Sequence, residues 1–382
     1  MIATQETEKL VRLRHELHAN PELSGQETYT SKRLLKFLEA IKPDQIIQSL
    51  GGNGFALVFK GEEKGKRILF RADMDALPIQ EKSALSYASK NAGVAHLCGH
   101  DGHSSILAGF ALLLNKKRPE KGEVILLFQP AEETGQGAMQ VINDPKFENI
   151  KPDMAFALHN LPGFERHSVV LREHTFAAAS VGIKIHLIGR TAHASQPETG
   201  VNPATALAKL MLELEQLKKQ WQAEKAFKLL TITHARLGEE AFGTSPGEAF
   251  CWVTIRNFED ETLEAMQYQC LDLATKNARE NQLDIQCSNH EPFAATINEP
   301  LLMSLVENAA AQNQLPVHKL KNPFRWSEDF GQFGRFGPIT LFGIGSGKNH
   351  PALHNPDYDF PDELIPTGIA MFDAICRQIT NS

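Results

Sequence analysis

EVILLFQPAEE, residues 123–133, sets five consecutive apolar residues (124–128) just before Gln129-Pro130-Ala131 and the acidic pair Glu132-Glu133. A short, continuous apolar run bounded by polar and turn-forming residues reads as a strand buried on both faces, the kind found in parallel sheets covered by helices. The same construction recurs on either side. RILF (67–70) runs into Arg71-Ala72-Asp73-Met74-Asp75, and MAFAL (154–158) runs into His159-Asn160. Between the first two strands, HLCGHDGH (96–103) crowds Cys98, His100, Asp101 and His103 into six residues before an apolar helix over Ser104–Asn115. Ligands of open α/β sheets gather beyond the carboxyl ends of the strands. Acids and imidazoles delivered to one sheet edge therefore mark a candidate site.

Around this centre the pattern predicts helices over Glu8–Ala19 and Glu27–Ile41, broken by Asn20-Pro21 and Gly25, and a strand near Phe55–Lys60. After about Ala295 the strand-helix style resumes, with helix Pro300–Gln312, strand Ile339–Gly343 and a closing helix near Ile365–Ile379. The intervening region differs. From Val181 it reads strand VGIKIHLIG, helix NPATALAKLMLELEQLKKQ, strands FKLLTITHA and AFCWVTIRNF, helix ETLEAMQYQCLDLATKNARENQ and strand LDIQCSN. That βαββαβ order is the ferredoxin-like one. Val181, Ile183, Ile185 and Leu187 share one strand face, opposite Lys184 and His186, while Val253 and Ile255 oppose Thr254 and Arg256. The expected fold is α/β, a mainly parallel-sheet domain in two segments (1–180 and 296–382) interrupted by an inserted ferredoxin-like domain (181–295). A length of 382 residues fits two cores.

With 42% hydrophobic and 22% charged residues and a formal net charge of -7, the composition is that of an ordinary globular protein. Lys and Arg are scattered, which argues against nucleic acid as a partner. The opening MIATQETEKLVRLRHEL lacks the apolar core of a signal peptide, and no stretch approaches a membrane span. Five cysteines without a CxxC pair argue against a disulfide framework and fit a reducing cytoplasm.

Cys98, His100, Glu133 and His159 at consecutive strand ends, with His350 or His354 after ITLFGIG, form a donor set for a borderline-soft divalent ion. Each alone reads as a buried small residue or an ordinary histidine; their convergence outweighs that reading. The Glu132-Glu133 pair allows one carboxylate to ligate while the other faces a bound water, because neighbouring side chains on extended backbone diverge. Cys98 beside His100 also admits a thiol nucleophile, a weaker reading given the other ligands.

These residues lie in blocks that resemble the zinc-dependent aminoacylase and carboxypeptidase superfamily of metallopeptidase-like amidohydrolases. The branch is that of hippurate hydrolases, N-acyl-L-amino acid amidohydrolases and plant auxin–amino acid conjugate hydrolases. The blocks are RADMDALP (71–78), HLCGHDGH (96–103), QPAEETGQGA (129–138), ALHN (157–160), TAHASQP (191–197) and SEDF (327–330). The resemblance implies two divalent ions (Zn, Mn, Co or Ni) on Cys98, His100, Glu133, His159 and His354, and Glu132 as general base and acid. It selects His354 over His350. Asp75, with Asp73, would stand behind a ligating histidine and fix its tautomer, or be a plain strand-end turn residue. His193 would reach the substrate carbonyl, in related dimers commonly from the neighbouring subunit, and Arg256 would grip a substrate carboxylate unless it is engaged in a surface ion pair. The implied activity is hydrolysis of a small N-acyl amino acid by a cytoplasmic homodimer paired through the inserted domain, which would also act as a lid closing over the catalytic domain. The alternatives are a dipeptidase and a non-catalytic metal-binding relative. One departure stands out: Gly243-Thr244-Ser245-Pro246 replaces the usual Asn-Val-Ile-Pro, removing a substrate-contacting asparagine. The stretch GFERHSVVLREHTFAAAS after ALHN departs as well.

Overall fold

The computed structural model describes residues 3–381. The chain divides into two compact units, one of Met1–Phe176, Thr296–Pro323 and Glu328–Ser382, the other of Ala177–Ala295 and Phe324–Ser327.

The larger unit is built on an eight-stranded sheet. Its order is Gln45–Leu50, Gly54–Lys60, Lys121–Gln129, Glu63–Asp73, Met154–Pro162, Ile339–Gly347, Val169–Leu171, Val317–Lys319. The four central strands are mutually parallel, so Asp73, Gln129 and His159 come out at the same edge. The outer strands bring in antiparallel pairs. The apolar runs read from the sequence are the ones buried here: residues 124–128 and 68–70 are fully enclosed. Phe70 shows why, lying 5.0 Å from Phe110, 5.5 Å from Phe156 and 5.1 Å from Phe372 between ring centroids. Each such ring contributes about 1.5–3 kcal/mol by leaving water. Helix His100–Lys116 comes close enough to helices Thr4–Ala19 and Leu364–Thr380 that a Cβ on Gly109 would run into Ile369 and Leu10.

The second unit has a four-stranded antiparallel sheet, ordered Lys228–Leu237, Glu248–Asn257, Ala179–Ile188, Asp284–Phe293. With helices Ala204–Ala223 and Asp260–Glu280 the chain order is β-α-β-β-α-β. Val181, Ile183, Ile185, Leu187, Val253 and Ile255 are buried in one cluster with Leu207, Leu210, Leu214, Met266 and Cys270 of the two helices.

Two details differ from the sequence reading. The second unit begins at Ala177 rather than 181, and it recruits Phe324–Ser327 from the segment expected to belong wholly to the larger unit. The Ala178 N–H donates to the Trp326 carbonyl (3.0 Å), and the Arg256 guanidinium donates to the Ser327 hydroxyl (2.8 Å); four residues held by such bonds carry no periodicity to read. Strands Gln45–Leu50, Val169–Leu171 and Val317–Lys319 were also not expected, the last two because three residues are too few for a pattern. All five cysteines are free thiols. Among the described residues no helix is long and apolar enough to cross a membrane.

Candidate metal centre

Four segments of the larger unit converge at the carboxyl edge of its sheet. Gly99, in the left-handed region at φ 99°, turns the chain into helix His100–Lys116, and a Cβ there would strike the Asn160 amide. His100 thus opens the helix while Cys98 precedes it, and His159 arrives on the neighbouring strand Met154–Pro162. Donor atoms of Cys98, His100 and His159 lie within 4.8 Å of one another, as do those of Cys98, Glu133 and His354, and those of His100, Glu132 and Glu133. All five residues expected as ligands, and Glu132, are therefore brought together.

Hydrogen bonding sets the tautomers. His100 donates from Nδ1 to the Asp75 carbonyl (3.0 Å), and His159 donates from Nδ1 to the Asn160 carbonyl (2.8 Å). In each neutral ring this leaves the lone pair on Nε2. The His159 Nε2 is 3.5 Å from Cys98 Sγ. The His100 Nε2 and the Glu133 Oε1 face each other at 3.8 Å, both buried and both without a hydrogen-bond partner. Two inward-facing acceptors in a dry pocket are destabilising unless a cation lies between them. The residues present fit a divalent ion.

The electrostatics agree. Burial pushes Glu132 well above the usual carboxylate range, with Glu328 and Glu133 adding to the shift, and burial lifts Glu133 to about 8 against the pull of His100. Burial also raises the Cys98 thiol. On His100 burial acts downward, but Asp73 and Cys98 overcome it and favour a second proton on Nε2, the position a metal ion would take in its place. Too many acidic groups and too little positive charge share this space, which a cation corrects.

The Glu132-Glu133 pair separates for a different reason from the one expected. The strand ends at Gln129, and the two acids lie in a turn rather than on extended backbone. Ala131 turns at φ 53°, held by its N–H to Glu27 Oε1 (2.8 Å). Glu132 comes near Glu328 and Asp329, while Glu133 Oε2 lies 3.7 Å from His354 Nε2. His354 itself sits at φ 67°, a conformation that costs a non-glycine residue about 1 kcal/mol or more, and its N–H is fixed to the Leu97 carbonyl (2.8 Å). His350 points elsewhere, its Nε2 on the Asp359 carbonyl at 2.6 Å.

Asp75 lies behind His100, but the ring donates to its backbone carbonyl rather than to its carboxylate; Oδ1 lies 3.3 Å from the ring nitrogen, and Oδ2 accepts from Ser24 and from the Glu133 N–H. Asp73 accepts from His103 Nδ1 (2.7 Å) and from Arg71 (2.6 Å). Fully buried Arg71 also binds Glu328 (2.8 Å) and Asp329 (2.7 Å), tying the SEDF block under Glu132. A second buried cluster escaped the sequence reading. Arg14 reaches Asp359 (2.6 Å) and Asp362 (2.9 Å) on the segment that carries His354, and His18 binds Asp101 (2.8 Å), the residue after His100, and Glu81 (3.4 Å). The paired charges in the blocks RADMD and SEDF gave a signal for the first network; nothing local announces the second.

In the second unit, His193 is exposed on the short strand Ala192–His193, paired with Thr244–Ser245. The departing block 243–246 is thus the strand partner of the histidine loop. Arg256 donates to the Arg325 carbonyl (3.2 Å) and the Ser327 hydroxyl. Among the described residues no carboxylate lies within ion-pair distance of it, although the charge of Glu291 acts on it.

The sequence profile of peptidase family M20/M25/M40 matches residues 69–378. The chain is 31% identical to an N-acetyl-L-cysteine deacetylase of Bacillus subtilis, over 94% of this chain and 85% of that protein. It is 30% identical to a hippurate hydrolase of Campylobacter jejuni, over 93% and 92%. Its fold superposes with a TM-score of 0.81 and 25% identity, covering 100% of both chains, on a Bacillus subtilis protein described as a dinuclear metal-binding peptidase from the M20 family.

Proposed function

This chain belongs to peptidase family M20/M25/M40, and from that premise we propose that it is a metal-dependent amidohydrolase that splits N-acyl amino acids into a carboxylate and a free amino acid. The observation that carries the reading is the pair of inward-facing acceptors, His100 Nε2 and Glu133 Oε1, beside Cys98, His159 and an independent buried acid, Glu132. The substrate class follows the deacetylase and hippurate hydrolase among its relatives.

Cys98, His100, Glu133, His159 and His354 would hold two divalent ions, Zn, Mn, Co or Ni by donor type. When bound, the ions supply a Lewis acid for the acyl carbonyl and ease ionisation of the attacking water. Glu132 takes the proton of that water as its oxygen attacks the carbonyl carbon. It then passes the proton to the leaving nitrogen as the C–N bond breaks, and returns to carboxylate. Cys98 serves as a ligand, so no acyl-thioester forms. Asp75 holds the His100 ring, His193 donates to the developing oxyanion, and Arg256 receives the substrate carboxylate. The second unit acts as a ferredoxin-like lid and as the contact of a homodimer, and the enzyme works in the cytoplasm.

Glu132→Gln is expected to abolish turnover of acetyl- and benzoyl-amino acids while leaving bound metal, measured by elemental analysis, unchanged. Wild-type turnover by that variant would remove Glu132 from the chemistry. Faster cleavage of aminoacyl than of acyl substrates would make the enzyme a dipeptidase.

A further inference from the structure

The His193 loop holds more than the histidine. The backbone N–H of Ser195 donates to His193 Nδ1 (3.1 Å), and the Ser195 hydroxyl lies 2.7 Å from the same nitrogen. A backbone N–H can only donate, so Nδ1 must present its lone pair, and the proton of the neutral ring sits on Nε2. Nε2 has no hydrogen-bond partner among the described residues. The loop therefore exposes one free ring donor.

We propose that Ser195 is a positioning residue that locks His193 with its Nε2–H outward, the tautomer whose outward-facing nitrogen can donate to a carbonyl oxygen. The inference rests on the reading of His193 as the group that meets the acyl oxygen. The other tautomer would turn a lone pair toward that oxygen and repel the charge growing on it.

The loop is built to hold the ring in place. The Ala194 N–H donates to the Gly243 carbonyl (3.0 Å), the Gln196 N–H to the His193 carbonyl (2.9 Å), and the Asn202 amide to the Ser245 hydroxyl (3.0 Å). Gly189, Gly200 and Gly247 each press so closely on neighbouring backbone or side chain that a Cβ would clash. With the backbone fixed in this way, rotation of the imidazole is the main freedom left, and Ser195 removes it.

The test combines kinetics with ring 15N NMR on the metal-loaded enzyme, with the His193 signals assigned by their loss in His193→Gln. Wild type should show Nδ1 unprotonated and Nε2 protonated. Ser195→Ala, which keeps the N–H but loses the hydroxyl, should lower kcat about fivefold at unchanged KM, the signature of a bond that strengthens only in the transition state. Its Nδ1 signal should shift toward that of a free imidazole, and Ser195→Thr should restore both readouts. A wild-type ring protonated on Nδ1 would overturn the proposal, as would a Ser195→Ala enzyme with unaltered kcat and an unaltered Nδ1 signal. Full activity of His193→Ala would instead defeat the role assigned to His193 itself, a result the NMR arm does not depend on.

Discussion

The candidate metal centre of the larger unit and the His193 loop of the second unit place histidines by opposite means. In the pocket, His100 and His159 are buried, and each ring is pinned through Nδ1 to a backbone carbonyl. Behind them Arg71 and Arg14 bind carboxylates from segments hundreds of residues apart in sequence. His193 is exposed and gains its orientation from a residue two positions away. A buried site fixes geometry through the core and loses fold when disturbed. An exposed loop fixes geometry locally, so it can lose function alone.

The largest expected break in that contrast is Arg71→Met. Removing the guanidinium leaves Asp73, Glu328 and Asp329 facing one another in a dry space, which should cost about 3–5 kcal/mol in urea unfolding of the metal-free protein. A cost below 1 kcal/mol would show that the network does not hold the pocket.

Next comes pH. His18 is buried, and burial acts against its charge, but Asp101 and Glu81 overcome that and raise it to about 9. A raised folded-state pKa contributes stability that is fully present below the unfolded value near 6.5 and is lost as pH climbs through about 9. The loss should approach about 3 kcal/mol. Unfolding of the metal-free protein followed from pH 6 to 10 should show this slope, and it should flatten in His18→Gln; equal slopes would contradict the assignment. The smallest effect on stability belongs to His193→Ala, within about 0.5 kcal/mol as for exposed sites generally, although kcat should fall about 100-fold. A large loss of stability there would erase the distinction between the two regions.

The same contrast explains what could be read from the sequence. Cys98, His100, Glu133 and His159 are legible because each follows an apolar run, so strand periodicity and chemistry coincide in a few residues. Spacing alone left His350 and His354 open, because the bond from His350 to Asp359 that turns that ring elsewhere is encoded by no spacing. The left-handed turn at Ala131, which splits the two glutamates, sits on a residue type with no preference for it. Arg14 and His18 were invisible in their charge roles: in an amphipathic helix they read as ordinary members of Thr4–Ala19, and their partners lie at 81, 101, 359 and 362. Local pattern finds strands and what they deliver. It does not find which distant charges meet.

The position of strand Ile339–Gly347 has a consequence for synthesis. It lies between Met154–Pro162 and Val169–Leu171, two strands made much earlier. Translation at roughly 5–20 residues per second takes on the order of 10–40 seconds to cover the intervening chain. Val169–Leu171 pairs with Ile339–Gly347 and Val317–Lys319, both made later, so through that interval the nascent sheet ends at the His159 strand, whose bare edge is open to any passing chain. The second unit, most of which emerges in the meantime, is finished only when residues 324–327 arrive, shortly before that edge can be covered.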